Sequence, residues 1–315
     1  MDRIPSVDLR DFLSGDESRK QKFINEIGHA YETIGFVALK GHFLDNELVD
    51  NLYEQIKRFF ELPVETKQKY EIPGIGGQRG YVSFGKESAK GKKEGDLKEF
   101  WHFGQYVENN PALEEEYPNN VNVAELPEFN EVGKQTYKML EKTAKFVLRS
   151  LALHLGLEET YFDQYIFNGN SILRPIHYPP IHEEPKGAVR AAAHGDINLI
   201  TLLMGAHGKG LQVQNHEGEW IDAIAEPDEL MINVGDMLSR HSNNKLKSTI
   251  HRVVNPPKEL WGTSRYSIPF FMHPVSEMKL DVLENCIDDK NPKQFEDITA
   301  GDFLNERLRE LGLIK

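Results

Sequence analysis

The feature that most constrains this 315-residue chain is a series of short apolar segments running from about residue 171 to residue 272. "ILRPIHY", "INLITLLM", "LQVQN", "WIDAI", "LMINVG", "TIHRVV" and "RYSIPFFM" are each bounded by Gly, Pro or Asn. Segments of strand length with turn residues at regular intervals predict an all-β sandwich or barrel over this stretch.

Upstream the periodicity is different. Residues 18–33 carry Phe23, Ile27 and Tyr31 at helical spacing, 35–41 read as a strand, and 45–63 read as a second helix with Asp45 as N-cap and Pro63 as stop. Residues 97–104 ("LKEFWHFG") read as a strand rich in aromatics, after a Gly- and Lys-rich stretch, 72–96, that reads as loops bordering something. A long helix is predicted over 126–157, where Tyr137, Leu140, Ala144, Val147, Leu148, Leu151 and Leu155 form one apolar stripe. Helical periodicity returns at 302–313. No repeat or linker divides the chain. The expectation is one compact domain, 1–315, mainly β with helices: an N-terminal α/β region (1–125), a β core (171–280) and a C-terminal helix (300–315).

Charge narrows the partners. With 50 acidic against 37 basic residues the net charge is −13, which disfavours nucleic acid and anionic membrane surfaces. The longest basic cluster, 86–98, is interleaved with Glu, Asp and Gly and reads as a solvated loop. Cys286 is the one cysteine, so neither an internal disulfide nor a cysteine zinc site can form, which fits a reducing compartment. The first residues hold early acids and no apolar signal region, and no run of about 18 apolar residues occurs. A cytoplasmic location is the resulting expectation; the oligomeric state is left open.

Within "VRAAAHGDINLITLL" (189–203), His194 and Asp196 stand two residues apart in a segment that reads as a buried strand. On a strand, i and i+2 share a face, so the imidazole and the carboxylate are expected to converge. A buried His–Asp hydrogen bond would present the same tripeptide, and 12 histidines make such spacing easy by chance. His251, on a separate predicted strand, supplies a candidate third ligand. Two imidazoles and one carboxylate suit Fe(II) and leave coordination positions open for a bidentate co-substrate and O2. Arg265 and Ser267 form a second i, i+2 pair, whose guanidinium fork and hydroxyl suit capture of a carboxylate at the bottom of a barrel. Burying four such groups without a ligand is costly.

"HGD", "KSTIHRVVNP" and "RYSIPFF", with "GLQVQNHEGEWIDA" and "LMINVGDMLSRHSNNKLKS" between them, resemble the isopenicillin N synthase-like class of Fe(II)- and 2-oxoglutarate-dependent dioxygenases. "IPSVDL", "GFVALKGH" and "FFELPVETKQKY" extend the likeness to the N-terminal part. The resemblance implies a distorted jelly-roll, the double-stranded β-helix, with Fe(II) held by His194, Asp196 and His251. It implies that Arg265 and Ser267 hold the distal carboxylate of 2-oxoglutarate, that Tyr178 hydrogen-bonds this co-substrate near the metal, and that Asn233 and Asn198 line the same cavity. The implied reaction couples oxidative decarboxylation of 2-oxoglutarate by O2, giving succinate, to hydroxylation, desaturation or cyclisation of a small organic substrate. Gly195 stands where the class often has Thr, and Ile176 where many members have Asn.

Arg79, Tyr81, Phe100, His102, Arg174 and Phe271 are the candidates for substrate contact at the rim. Two other readings stay compatible with these residues. In one, an iron oxidase or cyclase uses the Arg-x-Ser pair for its own substrate and needs no 2-oxoglutarate. In the other, a non-catalytic β-barrel binds a small acid through Arg265 and Ser267.

Overall fold

The computed structural model describes residues 3–86, 96–185, 187–205 and 210–310. Two largely antiparallel sheets face one another, and helices cover the outer side of the larger. In the N-terminal part, β1 (Ser6–Asp8) pairs in parallel with β2 (Phe36–Lys40), while α1 (Leu9–Phe12), α2 (Glu17–Thr33), α3 (Asn46–Phe60) and α4 (Val64–Gln68) pack outside. Asp16 and Asp45 cap α2 and α3 by accepting from first-turn N–H groups. β3 (Gly80–Val82), β4 (Glu99–Gly104) and α5 (Pro111–Glu116) lead to α6 (Pro127–His154), which lies against β4, β8 and β13.

After α7 (Asp163–Ile166) come β5 (Ile172–Leu173), β6 (Ile176–Tyr178), β7 (Ala191–His194), β8 (Ile200–Met204), β9 (Leu211–Gln214), β10 (Trp220–Asp222) and β11 (Leu230–Val234). Helix α8 (Asp236–His241), β12 (His251–Val253), β13 (Arg265–Met272) and α9 (Ala300–Glu310) complete the order. The major sheet runs β1-β2-β11-β8-β13-β5-β4-β3, with β6 bridging β13 and β4; the minor sheet runs β10-β9-β12-β7. This is the expected distorted jelly-roll with an α/β N-terminal region. The terminal helix is described only to Glu310, so residues 311–315 of the expected 300–315 helix lie outside the described residues, as do 87–95 of the 72–96 loop.

Alternation on β13 separates the two cores. Ile268, Phe270 and Met272 join the helix-side cluster, which also holds Val7, Trp101, Leu148 and Phe303. Arg265, Ser267 and Phe271 take the opposite parity and look between the sheets, where a second cluster contains Phe36, Phe100, Ile176, Tyr178, Val213 and Met231. The expected strand "ILRPIHY" is broken in two at Arg174–Pro175 because proline has no N–H for the ladder.

A second departure concerns Asp196. Strand β7 ends at His194, so Asp196 sits not on a strand but on the segment that crosses from the minor to the major sheet. That crossing is clamped to the turn before α8: Gly235 N donates to Leu199 O (2.9 Å), Asp236 N to Asp196 O (2.7 Å) and Met237 N to Ile197 O (3.1 Å). The close approach needs glycine, since a Cβ on Gly235 would lie 2.0 Å from the Asn198 carbonyl oxygen. Gly235→Ala is therefore expected to cost about 1–3 kcal/mol in denaturant unfolding. Gly195→Ala, whose Cβ would meet nothing nearer than 3.5 Å, should stay within about 0.5 kcal/mol of wild type; equal costs would refute this account of the crossing.

Candidate active site

His194 and His251 come together because their strands pair in register, His251 directly opposite His194. The β7–β12 register shifts between His251 and Val253, and such irregularities re-aim side chains. The two rings lie 4.5 Å apart, centre to centre. Asp196 reaches the pair from the crossing segment, its Oδ1 4.0 Å from His194 Nε2 and 3.8 Å from His251 Nε2. One donor atom from each of the three lies within 4.8 Å of the others.

Each donor is aimed by a further hydrogen bond. His194 Nδ1 faces Ala192 O at 2.7 Å and His251 Nδ1 faces Thr249 O at 3.2 Å. Those carbonyls hold the proton on Nδ1 and leave both Nε2 lone pairs pointing at the shared space. Asp196 Oδ2 accepts from Thr201 Oγ1 (2.7 Å) and Asn233 Nδ2 (2.8 Å), which leaves Oδ1 towards the imidazoles. Burial raises the Asp196 carboxyl, but the imidazoles and these two donors outweigh it, and its pKa is lowered. Removal from water, then His251, push the His194 imidazole down to about 4, although 44% of its side-chain surface stays exposed. A neutral imidazole with a free Nε2 is the ligating form. The donor set therefore fits a divalent ion such as Fe(II) with open positions.

Thr201 and Asn233 owe their place to register. Phe36, Asn233, Thr201, Phe271, Ile172 and Gly104 are successive partners straight across the major sheet. Asn198 donates to Ile200 O and to Thr201 Oγ1, so it supports Thr201 instead of lining the cavity; Asn233 likewise bonds the carboxylate. Thr201 was not expected; a polar residue inside "ITLLM" is its only signal. Asn233→Leu and Thr201→Val are each expected to lower Fe(II) affinity roughly 10–100-fold while the fold persists. Competition against a chromophoric chelator measures this, and unchanged affinity would refute the supporting role.

Arg265 and Tyr178 are register partners, with the guanidinium 5.2 Å from the ring centre, and Ser267 pairs with Ile176. Among the described residues the buried Arg265 Nη1 has no hydrogen-bond partner, and the parity of β13 turns this side chain between the sheets. That orphan donor fits an anionic co-substrate.

Among the rim candidates, Phe100, His102, Arg174 and Phe271 gather in one cluster. Arg174 lies 4.5 Å from the Phe100 ring centre and 5.0 Å from that of Phe271, and its Nε donates to His102 Nε2 at 2.5 Å. Beside them His273 is buried; loss of water pushes its imidazole down to about 4, with Asp196 and Arg174 acting in opposite directions. The other two candidates are corrected. Tyr81 faces the helical layer, against Phe59 and hydrogen-bonded to Glu99, because it pairs with Trp101 on the outward parity of β4. Arg79 is fully buried over Gly104 and bonds Gln78 O and Asn170. A surface hollow of about 320 Å³ between Glu108 and Glu277 shares no residue with any of these groups.

Two imidazoles and a carboxylate set between the sheets of a double-stranded β-helix define a mononuclear non-haem metal oxygenase. Residues 4–125 match the family model for the non-haem dioxygenase in morphine synthesis N-terminal region, and residues 169–274 that for the 2OG-Fe(II) oxygenase superfamily. A 2-oxoglutarate-Fe(II) type oxidoreductase, hxnY of Emericella nidulans, is 31% identical, covering 97% of this chain and 89% of its own. A crystal structure assigned to the 2OG-Fe(II) oxygenase family, from Caulobacter crescentus, superposes with a TM-score of 0.90 at 42% identity, covering 99% of this chain and 100% of that one. A full-length Neurospora crassa protein crystallised in complex with alpha-KG, that is 2-oxoglutarate, superposes with a TM-score of 0.84 at 32% identity over 97% of this chain and 96% of its own. The chain belongs to the 2OG-Fe(II) oxygenase superfamily. It is a non-haem dioxygenase that uses Fe(II), 2-oxoglutarate and O2. Among the described residues, no helix is long and apolar enough to cross a membrane.

Proposed function

We propose that His194, Asp196 and His251 hold Fe(II), that Arg265 and Ser267 bind the distal carboxylate of 2-oxoglutarate while Tyr178 hydrogen-bonds this co-substrate, and that a small organic substrate enters between Phe100, His102, Arg174 and Phe271. The observation that carries this reading is the convergence of three donor atoms within 4.8 Å, each oriented by its own hydrogen bonds. Bound Fe(II) supplies the O2 chemistry that couples decarboxylation of 2-oxoglutarate to oxidation of a substrate C–H bond. The protein's part is geometric. The Nδ1–carbonyl bonds fix the tautomer and the aim of both imidazoles, Thr201 and Asn233 hold Oδ2 of Asp196 so that its free Oδ1 faces them, and the aromatic walls hold the substrate carbon while excluding water.

Two aromatic rings flanking a guanidinium suit a flat, polar or anionic substrate. Further structures of the same Neurospora crassa protein contain thymine and 5-formyluracil, and JOX2, 26% identical, binds 2OG, Fe and JA, which supports a small molecule of that kind. The net charge of −13 argues against nucleic acid as partner, and the single buried cysteine supports a cytoplasmic location. The chain is read as one working unit, since the helix-side core runs from Val7 to Phe303.

The test is succinate formation by the anaerobically loaded enzyme on exposure to O2, screened against small acids, amino acids, heterocycles and phenolics. Succinate released in step with consumption of one substrate supports the reading; substrate consumption without succinate overturns it. The product separates the outcomes: one oxygen gained marks hydroxylation, two hydrogens lost mark desaturation or ring closure.

A further inference from the structure

Arg190 stands just before β7 on the minor sheet, and it is only 5% exposed. Arg265 opens β13 on the major sheet. Both guanidiniums approach the same ring: the Cζ of Arg190 lies 5.7 Å, and that of Arg265 5.2 Å, from the centre of Tyr178. Among the described residues, no carboxylate lies within ion-pairing distance of either.

Their hydrogen bonds are incomplete as well. Arg190 donates from Nη2 to Thr263 O at 3.3 Å, and its buried Nε has no partner among the described residues. Arg265 reaches Gly205 O only at 3.5 Å, and its Nη1 has no partner among the described residues. Burial, and then the like charge of Arg265, push the Arg190 pKa down. Two under-bonded cations beside one another, Arg190 buried and Arg265 half-buried, with no paired carboxylate among the described residues, form an arrangement that a bound anion completes.

We propose that Arg190 and Arg265, one from each sheet, jointly grip the distal carboxylate of 2-oxoglutarate beside the Tyr178 ring, which makes Arg190 a further co-substrate-binding residue. The proposal rests on the reading of Arg265 given above. One carboxylate offers two oxygens with about four lone-pair sites, enough for a fork from each guanidinium. The pair also spans the two sheets, so co-substrate binding ties the minor sheet, with its two histidines, to the major one. A 2-oxo acid lacking a second carboxylate forfeits both cations.

Calorimetric titration of the full chain, loaded anaerobically with Fe(II), tests this with 2-oxoglutarate and with 2-oxobutyrate, which lacks the distal carboxylate. Arg190→Met is expected to raise the Kd of 2-oxoglutarate by about tenfold or more, whereas the Kd of 2-oxobutyrate and that of Fe(II) shift by less than about twofold. Arg190→Lys, which keeps the charge without the fork, is expected to recover part of the loss, and it carries the same two-acid comparison should Arg190→Met fail to fold. Unchanged 2-oxoglutarate affinity overturns the proposal. So does equal weakening of both acids, the signature of an arginine that only braces Tyr178 and Thr263. Arg265→Met separates the two readings: if it leaves 2-oxoglutarate binding intact, the co-substrate site itself is misplaced and Arg190 falls with it. If Arg265→Met weakens binding and Arg190→Met does not, Arg190 alone is wrong.

Discussion

Asp196→Ala is expected to abolish Fe(II) binding and with it all turnover of 2-oxoglutarate. Of the three donors Asp196 alone brings a negative charge, and its free Oδ1 lies within 4.0 Å of both imidazoles. Loss of a supporting hydrogen bond at a metal site costs roughly 10–100-fold in affinity, and loss of a charged ligand must exceed that. His194→Ala should behave alike, since the imidazole is a direct donor. Substitution at Asp196 also takes the shorter partner from the Thr201 hydroxyl and the Asn233 amide, which keep only the longer contacts to Asn198 Oδ1 (3.3 Å) and Val234 O (3.4 Å), at a cost of about 1 kcal/mol each. Asp196→Asn keeps the shape and a hydrogen-bonding side chain while removing the charge, and so separates metal loss from destabilisation. Anaerobic Fe(II) titration with a parallel melting curve makes the measurement. Tight Fe(II) binding and retained succinate formation in Asp196→Ala would remove the basis for the site assignment.

The second large effect is expected at Arg265. Truncating one partner of a buried, hydrogen-bonded charge pair costs about 2–5 kcal/mol, so Arg265→Met should weaken 2-oxoglutarate binding at least about thirtyfold. Ser267→Ala removes one neutral hydroxyl and should cost about 1 kcal/mol, roughly fivefold. Neither residue lies among the three metal donors, and Fe(II) affinity should stay level in both variants. KM for 2-oxoglutarate, followed at saturating substrate, is the convenient readout. A KM unchanged in Arg265→Met would contradict a co-substrate role for this strand.

Much of this architecture is legible in the sequence. Strand-length apolar segments ending in turn residues mark the β core from residue 171 onward, and β13 runs from Arg265 to Met272 as its alternation suggests. The apolar stripe on 126–157 is the buried face of α6. The same-face argument held for Arg265 and Ser267 because both lie within one strand. For His194 and Asp196 it led to the right neighbours by the wrong route. Asp196 has left the strand, and it is the clamp between the crossing segment and Gly235–Met237 that returns its carboxylate to the histidines. Period-two spacing carries no information once a chain leaves the sheet.

The rim shows the same limit from the other side. Phe100 and His102 share the inward parity of β4, whereas Tyr81, paired with Trp101, takes the outward face, and Arg79 is sealed over Gly104. Only the pairing register tells which face of a short strand looks inward. Arg190 gave no signal, since a single arginine before a strand looks like any other solvated one.

By itself the sequence determined the kind of elements, the parity of side chains within each strand, and which side-chain types stand at His194, Asp196, His251 and Arg265 as candidate ligands. Those are local properties, set by spacing and residue type. The tertiary structure alone decided that Thr201 and Asn233 orient the carboxylate, that His194 meets His251, and that Arg190 and Arg265 share one ring across two sheets. Each of those meetings joins segments far apart in the chain, and they depend on register, bulge and crossing geometry, which cooperative packing sets.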